Sequence, residues 1–131
     1  VAFVVDASVT IKVMGIGPEG DLFAPYLTSS DERHVPELFD IEVVAAIRHA
    51  LIRSVITERR AVELVTDHLD SPVRRHRHLP LMPRAYELRS NVSVADGVYV
   101  ALAEQLGVPL VTADARLATA VRRHTDVIAL P

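Results

Sequence analysis

Apolar and polar positions along the chain alternate between two periods. Short apolar runs over 3–5, 109–112 and 127–130, with Phe3, Val4, Val5, Val111 and Val127 among them, read as fully buried strands. Two shorter strand candidates lie at 32–35, ended by Pro36, and at 73–77. Between these runs the period lengthens: Leu38, Ile41, Val44, Ala45, Ile47 and Leu51 recur at helical spacing within 37–53. Ala61, Val62, Leu64, Val65 and Leu69 do the same within 57–69. Further helices are predicted over 8–14, 19–27, 83–89, 93–106 and 114–123, and Gly107 is placed to close the helix over 93–106. The repeated β-then-α order predicts an α/β fold, a three-layer α/β/α arrangement around a central, mostly parallel sheet of about five short strands.

Composition narrows this picture. The chain has 131 residues, half of them hydrophobic and 24% charged, enough for one compact domain over 1–131 and too apolar for a disordered linker. Cysteine is absent, which excludes disulfide frameworks, thiolate zinc sites and thiol catalysis. Asp6, Lys12, Glu42 and Asp96 interrupt the apolar runs before any reaches membrane-spanning length, and the first residues carry no signal-peptide pattern. A cytoplasmic protein without a membrane partner is expected. A net charge of −3 excludes a general polycation, and Lys12 is the only lysine beside many arginines.

In open parallel sheets, ligands bind beyond the carboxyl ends of the strands, where strand order reverses. Asp6 follows one buried strand and Asp114 another, so both should emerge at the same sheet edge. Glu42 lies within an almost uncharged helical stretch, and Asp96 opens the apolar helix that follows Ser93. Simpler roles exist: Asp6 and Asp114 can cap helices, and Ser93-Val94-Ala95-Asp96 has capping-box spacing. Glu42 resists that reading, because a carboxylate among apolar neighbours is costly unless paired. Asp40, two residues away, belongs to another helix face. Four converging carboxylates without cysteine suit a hard divalent cation, Mg²⁺ or Mn²⁺.

The stretches that carry Asp6, Glu42, Asp96 and Asp114 resemble PIN-domain ribonucleases, and specifically VapC-type toxins of bacterial toxin–antitoxin pairs. The resemblance rests on Val4-Val5-Asp6-Ala7-Ser8, Pro36-Glu37-Leu38-Phe39-Asp40-Ile41-Glu42, the run from Asp96 to Glu104, and Leu110-Val111-Thr112-Ala113-Asp114-Ala115-Arg116-Leu117. It spans the whole chain in order and spacing. It implies a Mg²⁺-dependent endoribonuclease (Mn²⁺ as substitute) with Asp6, Glu42, Asp96 and Asp114 as catalytic and metal-holding residues, and Ser8 and Thr112 as supporting hydroxyls. It also implies a homodimer, a cognate VapB-like antitoxin and a toxin–antitoxin hetero-oligomer. Two departures stand out: Ala45 replaces an Asn common in the family, and Gly97 replaces the usual Ala.

Arg74, Arg75 and Arg77 form the densest basic segment and are candidates for holding RNA phosphates, though a solvated edge strand explains them as well. Aromatic residues make up only 5% of the chain, so base stacking is not expected. Leu22, Phe23, Tyr26 or the 38–69 helices are candidates for the protein interface. The literal G-x-G-x-x-G at 15–20 contains Pro18 and does not follow a strand directly, so no dinucleotide site is expected. His76-x-His78 lacks a third ligand at zinc spacing. A phosphoacceptor domain would need a second acid beside Asp6 and a late lysine. The remaining alternative is a catalytically silent PIN-like module that binds RNA or protein.

Overall fold

The computed structural model describes residues 2–16 and 32–129. β1 (Ala2–Val5), β2 (Glu32–Pro36), β3 (Arg74–His76), β4 (Leu110–Thr112) and β5 (Val127–Ala129) form one sheet in the order β3-β2-β1-β4-β5. Every pairing is parallel, as the alternating pattern predicts. Consecutive residues of β1 and β4 are buried, Val4, Val5, Leu110 and Val111 completely, so helices cover both sheet faces.

Six α-helices are described: α1 (Ala7–Ile11), α2 (Leu38–Ile52), α3 (Glu58–Leu69), α4 (Met82–Glu87), α5 (Val94–Leu106) and α6 (Ala115–Val121). The expected helix over 8–14 is shorter, since Lys12–Ile16 continues α1 as a π turn. A 3-10 turn, Leu79–Leu81, leads into α4, where Pro83 fits the first turn because its missing N–H has no helical partner there. The helix expected over 19–27 and Leu22, Phe23 and Tyr26 lie outside the described residues. Phe39, Val43, Ile47 and Ala50 form the core stripe of α2, while Ile41, Val44 and Ile52 remain exposed on it.

Two glycines have conformational reasons. Gly107 ends α5 with φ +66°, the left-handed conformation that L side chains adopt only with strain. Gly97 lets α5 touch α4: a Cβ there would stand 3.0 Å from the Ala85 carbonyl oxygen and 3.1 Å from its Cα. An alanine there would fit only if α4 gave way by a few tenths of an ångström. Arg84 reinforces the same contact by donating to both Glu104 carboxylate oxygens, at 3.1 and 3.2 Å.

Overpacking of a core typically costs 1–3 kcal/mol, more than the roughly 1 kcal/mol that alanine gains over glycine within a helix. Gly97→Ala is therefore expected to lower unfolding stability in urea by about 1 kcal/mol. An unchanged or higher midpoint would show that α4 yields without penalty.

Candidate active site

The chain runs outward from β1 through β2 to β3 and then returns to place β4 on the other side of β1. Strand order thus reverses between β1 and β4, where the crossovers diverge and leave a crevice at the carboxyl edge. The Asp6 amide donates to the Val111 carbonyl at 2.9 Å and extends the β1–β4 ladder into this crevice.

Asp6 is 6% exposed, and one carboxylate oxygen accepts two hydroxyls: Ser8 Oγ at 2.7 Å and Thr112 Oγ1 at 2.8 Å. Both hydroxyls also accept backbone amides, Ser8 from Ala113 and Thr112 from Asp114, each at 3.0 Å. The lattice fixes the β4–α6 turn against β1. It also orients Asp6 without supplying a countercharge.

Glu42 and Asp96 come from two helices. α2 carries Glu42, whose Oε1 accepts the Tyr99 hydroxyl at 2.6 Å. Tyr99 stands three residues after Asp96 on α5, so this bond joins the helices that present the two acids. Ala45 is exposed on α2, and Tyr99 is the hydrogen-bond partner that Glu42 has. The Ser93 hydroxyl accepts the Asp96 amide at 3.1 Å, which is the serine half of a capping box. Asp114 caps α6, with Oδ1 accepting the amides of Arg116 and Leu117 at 2.9 and 3.2 Å. Capping and convergence therefore coexist.

The electrostatics agree with convergence. Burial pushes the Asp6 carboxyl above the usual carboxylate range; Ser8 and Thr112 oppose the shift, and the charges of Asp96 and Asp114 add to it. Glu42 is raised by burial and by Asp6 and Asp96, against the Tyr99 hydrogen bond. Asp96 is raised by burial and by Asp114, against Ser93. The charges of Asp96 and Asp114 reach Asp6, and those of Asp6 and Asp96 reach Glu42, so the four acids lie within electrostatic range around a common space. All-oxygen donors of this kind fit a hard divalent ion. Among the described residues no group of three or more His, Asp or Glu side chains stands arranged to hold a metal ion by itself. Mg²⁺ keeps several waters and takes only one or two carboxylates directly, so further acids can act on it through its water.

The basic residues divide differently from the sequence pattern. Arg74 pairs with Glu32 at 2.7 Å, and Arg75 grips Asp40 with two bonds of 2.7 and 3.0 Å. Asp40 also binds the buried His68 at 2.7 Å, so this carboxylate ties α2, α3 and β3 together and stands apart from the acidic cluster. Arg77 is exposed at the carboxyl end of β3 and makes no ion pair among the described residues. Two arginines that the sequence pattern did not single out, Arg89 and Arg116, line a cleft of about 520 Å³ together with Asp96 and Asp114. Tyr99 could have been found from its i+3 spacing to Asp96; Arg89 had no such signal.

The PIN domain family model matches residues 3–122. The chain is 44% identical over 124 residues to Ribonuclease VapC12 of Mycobacterium tuberculosis, covering 95% of each chain. Its fold resembles the crystal structure of VapBC2 from Rickettsia felis bound to a promoter DNA fragment, with a TM-score of 0.70, 8% identity and full coverage of both chains. It also resembles VapC20 of M. tuberculosis, described as a Sarcin-Ricin loop cleaving toxin, with a TM-score of 0.69, 16% identity, and coverage of 90% of this chain and 94% of that one.

A carboxyl whose folded pKa is raised holds its proton more tightly when folded. Without divalent ions, stability should therefore fall as pH rises above the ordinary carboxylate range and through the raised values of Asp6, Glu42 and Asp96. Asp6→Asn keeps an oxygen for both hydroxyls and removes the charge. It is expected to raise Tm in EDTA at neutral pH by roughly 3–5 °C, and by less near pH 4. A lower Tm at neutral pH would show that the Asp6 charge is stabilising.

Proposed function

Because the chain belongs to the PIN-domain family and, within it, to the VapC ribonucleases, we propose that it is a Mg²⁺-dependent endoribonuclease toxin neutralised by a cognate antitoxin. The observation that carries this reading is the convergence of Asp6, Glu42 and Asp96, from one strand end and two helices, each carboxyl being raised first by burial and then by the charge of a neighbouring acid. In the proposed mechanism these three would hold the principal ion, directly or through its water, and Asp114 would complete its surroundings or a weaker second site. A bound divalent ion generates a nucleophilic water at neutral pH and shields charge at phosphorus.

The protein's own groups supply position. Ser8 and Thr112 aim Asp6, and Tyr99 fixes Glu42 relative to Asp96 through α5. Arg89 and Arg116 attract the RNA backbone toward carboxylates that would otherwise repel it. Water oxygen bonds to phosphorus, the P–O3′ bond breaks and a proton passes to O3′, leaving a 5′-phosphate and a 3′-hydroxyl. Exposed Ile41 and Val44 on α2 and Val62 on α3 offer apolar surface to the antitoxin or a second copy of the chain. The whole of 1–131 then acts as one domain. No described helix is long and apolar enough to cross a membrane.

Purified protein is expected to cut RNA in Mg²⁺ and to stop in EDTA. Glu42→Gln should lower the rate by at least about 100-fold while circular dichroism remains unchanged. In an inducing culture, mapping of 5′ ends in total RNA should reveal discrete new ends bearing phosphate. Cleavage that persists in EDTA, or at full rate in Glu42→Gln, would refute the metal-held carboxylate mechanism.

A further inference from the structure

Beside the acidic cleft stands an aromatic surface whose function nothing in the catalytic cluster requires. Tyr86 is 61% exposed near the end of α4, although large side chains elsewhere on that helix are turned inward or paired. The Arg89 guanidinium lies 4.2 Å from the centre of its ring and donates to the Tyr86 carbonyl at 3.1 Å. Ring and guanidinium therefore form one joined surface, and its arginine end lines the cleft that contains Asp96 and Asp114. The position is rigid. Asn91 and Val92 amides close onto the Leu88 carbonyl at 2.9 and 3.1 Å, and the Gly97–Ala85 contact sets α4 against the turn that carries Asp96.

We propose that Tyr86 and Arg89 form a stacking ledge for one unpaired RNA base next to the cleaved phosphate. The proposal rests on the ribonuclease reading and adds a substrate feature to it: single-stranded or looped RNA. An exposed ring offers a π face to any base, and arginine planes stack on bases as well. Ser90 and Asn91, on the same cleft wall, offer hydrogen bonds to a base edge, while Arg116 on the α6 side offers charge to the backbone. A polar, arginine-flanked surround suits RNA better than an apolar protein contact. This revises the expectation drawn from low aromatic content, because one correctly placed ring is enough.

The test uses the Asp6→Asn chain in Mg²⁺, so that RNA stays whole, and a single-stranded RNA of about nine nucleotides carrying 2-aminopurine at successive positions. Quenching on binding is expected at one or two positions. Tyr86→Ala should remove the quenching and weaken binding about tenfold, whereas Tyr86→Phe should preserve both. With Asp6 intact, Tyr86→Ala should raise KM about tenfold and change kcat less than about twofold. Absence of binding, binding without quenching at any position, or Tyr86→Ala behaving like its parent would overturn the ledge. So would a Tyr86→Ala variant that loses antitoxin affinity alone, which would make the surface a protein contact. The two readings fail separately: quenching without cleavage by the unmodified chain defeats the nuclease, and cleavage without quenching defeats the ledge.

Discussion

The site depends on one hydrogen-bonded carboxylate. Asp6 sits where the sheet reverses its strand order, and one of its two carboxylate oxygens accepts Ser8 and Thr112 from the two sides of that reversal. The hydroxyls satisfy the buried oxygen, yet neither brings a positive charge. Folding therefore fixes a carboxyl whose ionisation burial opposes, so the interaction that orders the β1–β4 junction also places an acid where a positive charge would be favourable.

The other acids enter through connections that tie them to this point. Tyr99 links Glu42 on α2 to the helix that begins at Asp96, and Asp114 caps α6 just after the strand that supplies Thr112. A second network, Asp40 with His68 and Arg75, holds the start of α2 and uses charge for structure. The contrast is chemical. Arg75 and His68 hold the Asp40 carboxyl below its usual range despite its partial burial, whereas Asp6, Glu42 and Asp96 have hydroxyls as hydrogen-bonding side chains and are raised by burial and by neighbouring acids. Two acids two residues apart on one helix thus serve different ends.

Much of this was legible in the sequence. Short apolar runs marked β1, β4 and β5, because a strand buried between helices needs no alternation, whereas β2 and β3 carry Glu32, Arg33, His34, Arg74 and Arg75 and gave a weaker signal. The four acids stood out because they occupied strand ends or apolar helix positions. Basic residues were harder to read, since their roles depend on partners distant in the chain: Arg74 and Arg75 meet Glu32 and Asp40 only after β2 and β3 pair. Arg89 reaches the cleft through the folding of the turn after α4, and Gly97 is explained only by Ala85 on the neighbouring helix. Local periodicity reports burial. It does not report which long side chain meets which partner.

The direct test of a preorganised, undercharged acidic site is proton release on Mg²⁺ binding, measured by titration calorimetry across a pH series above the ordinary carboxylate range in buffers of different ionisation enthalpy. Protons held by Asp6, Glu42 or Asp96 should be displaced as the ion binds, giving net release from the unmodified chain and less from Asp6→Asn. Mg²⁺ binding without proton release, or equal release from both proteins, would contradict a site built on these raised carboxylates.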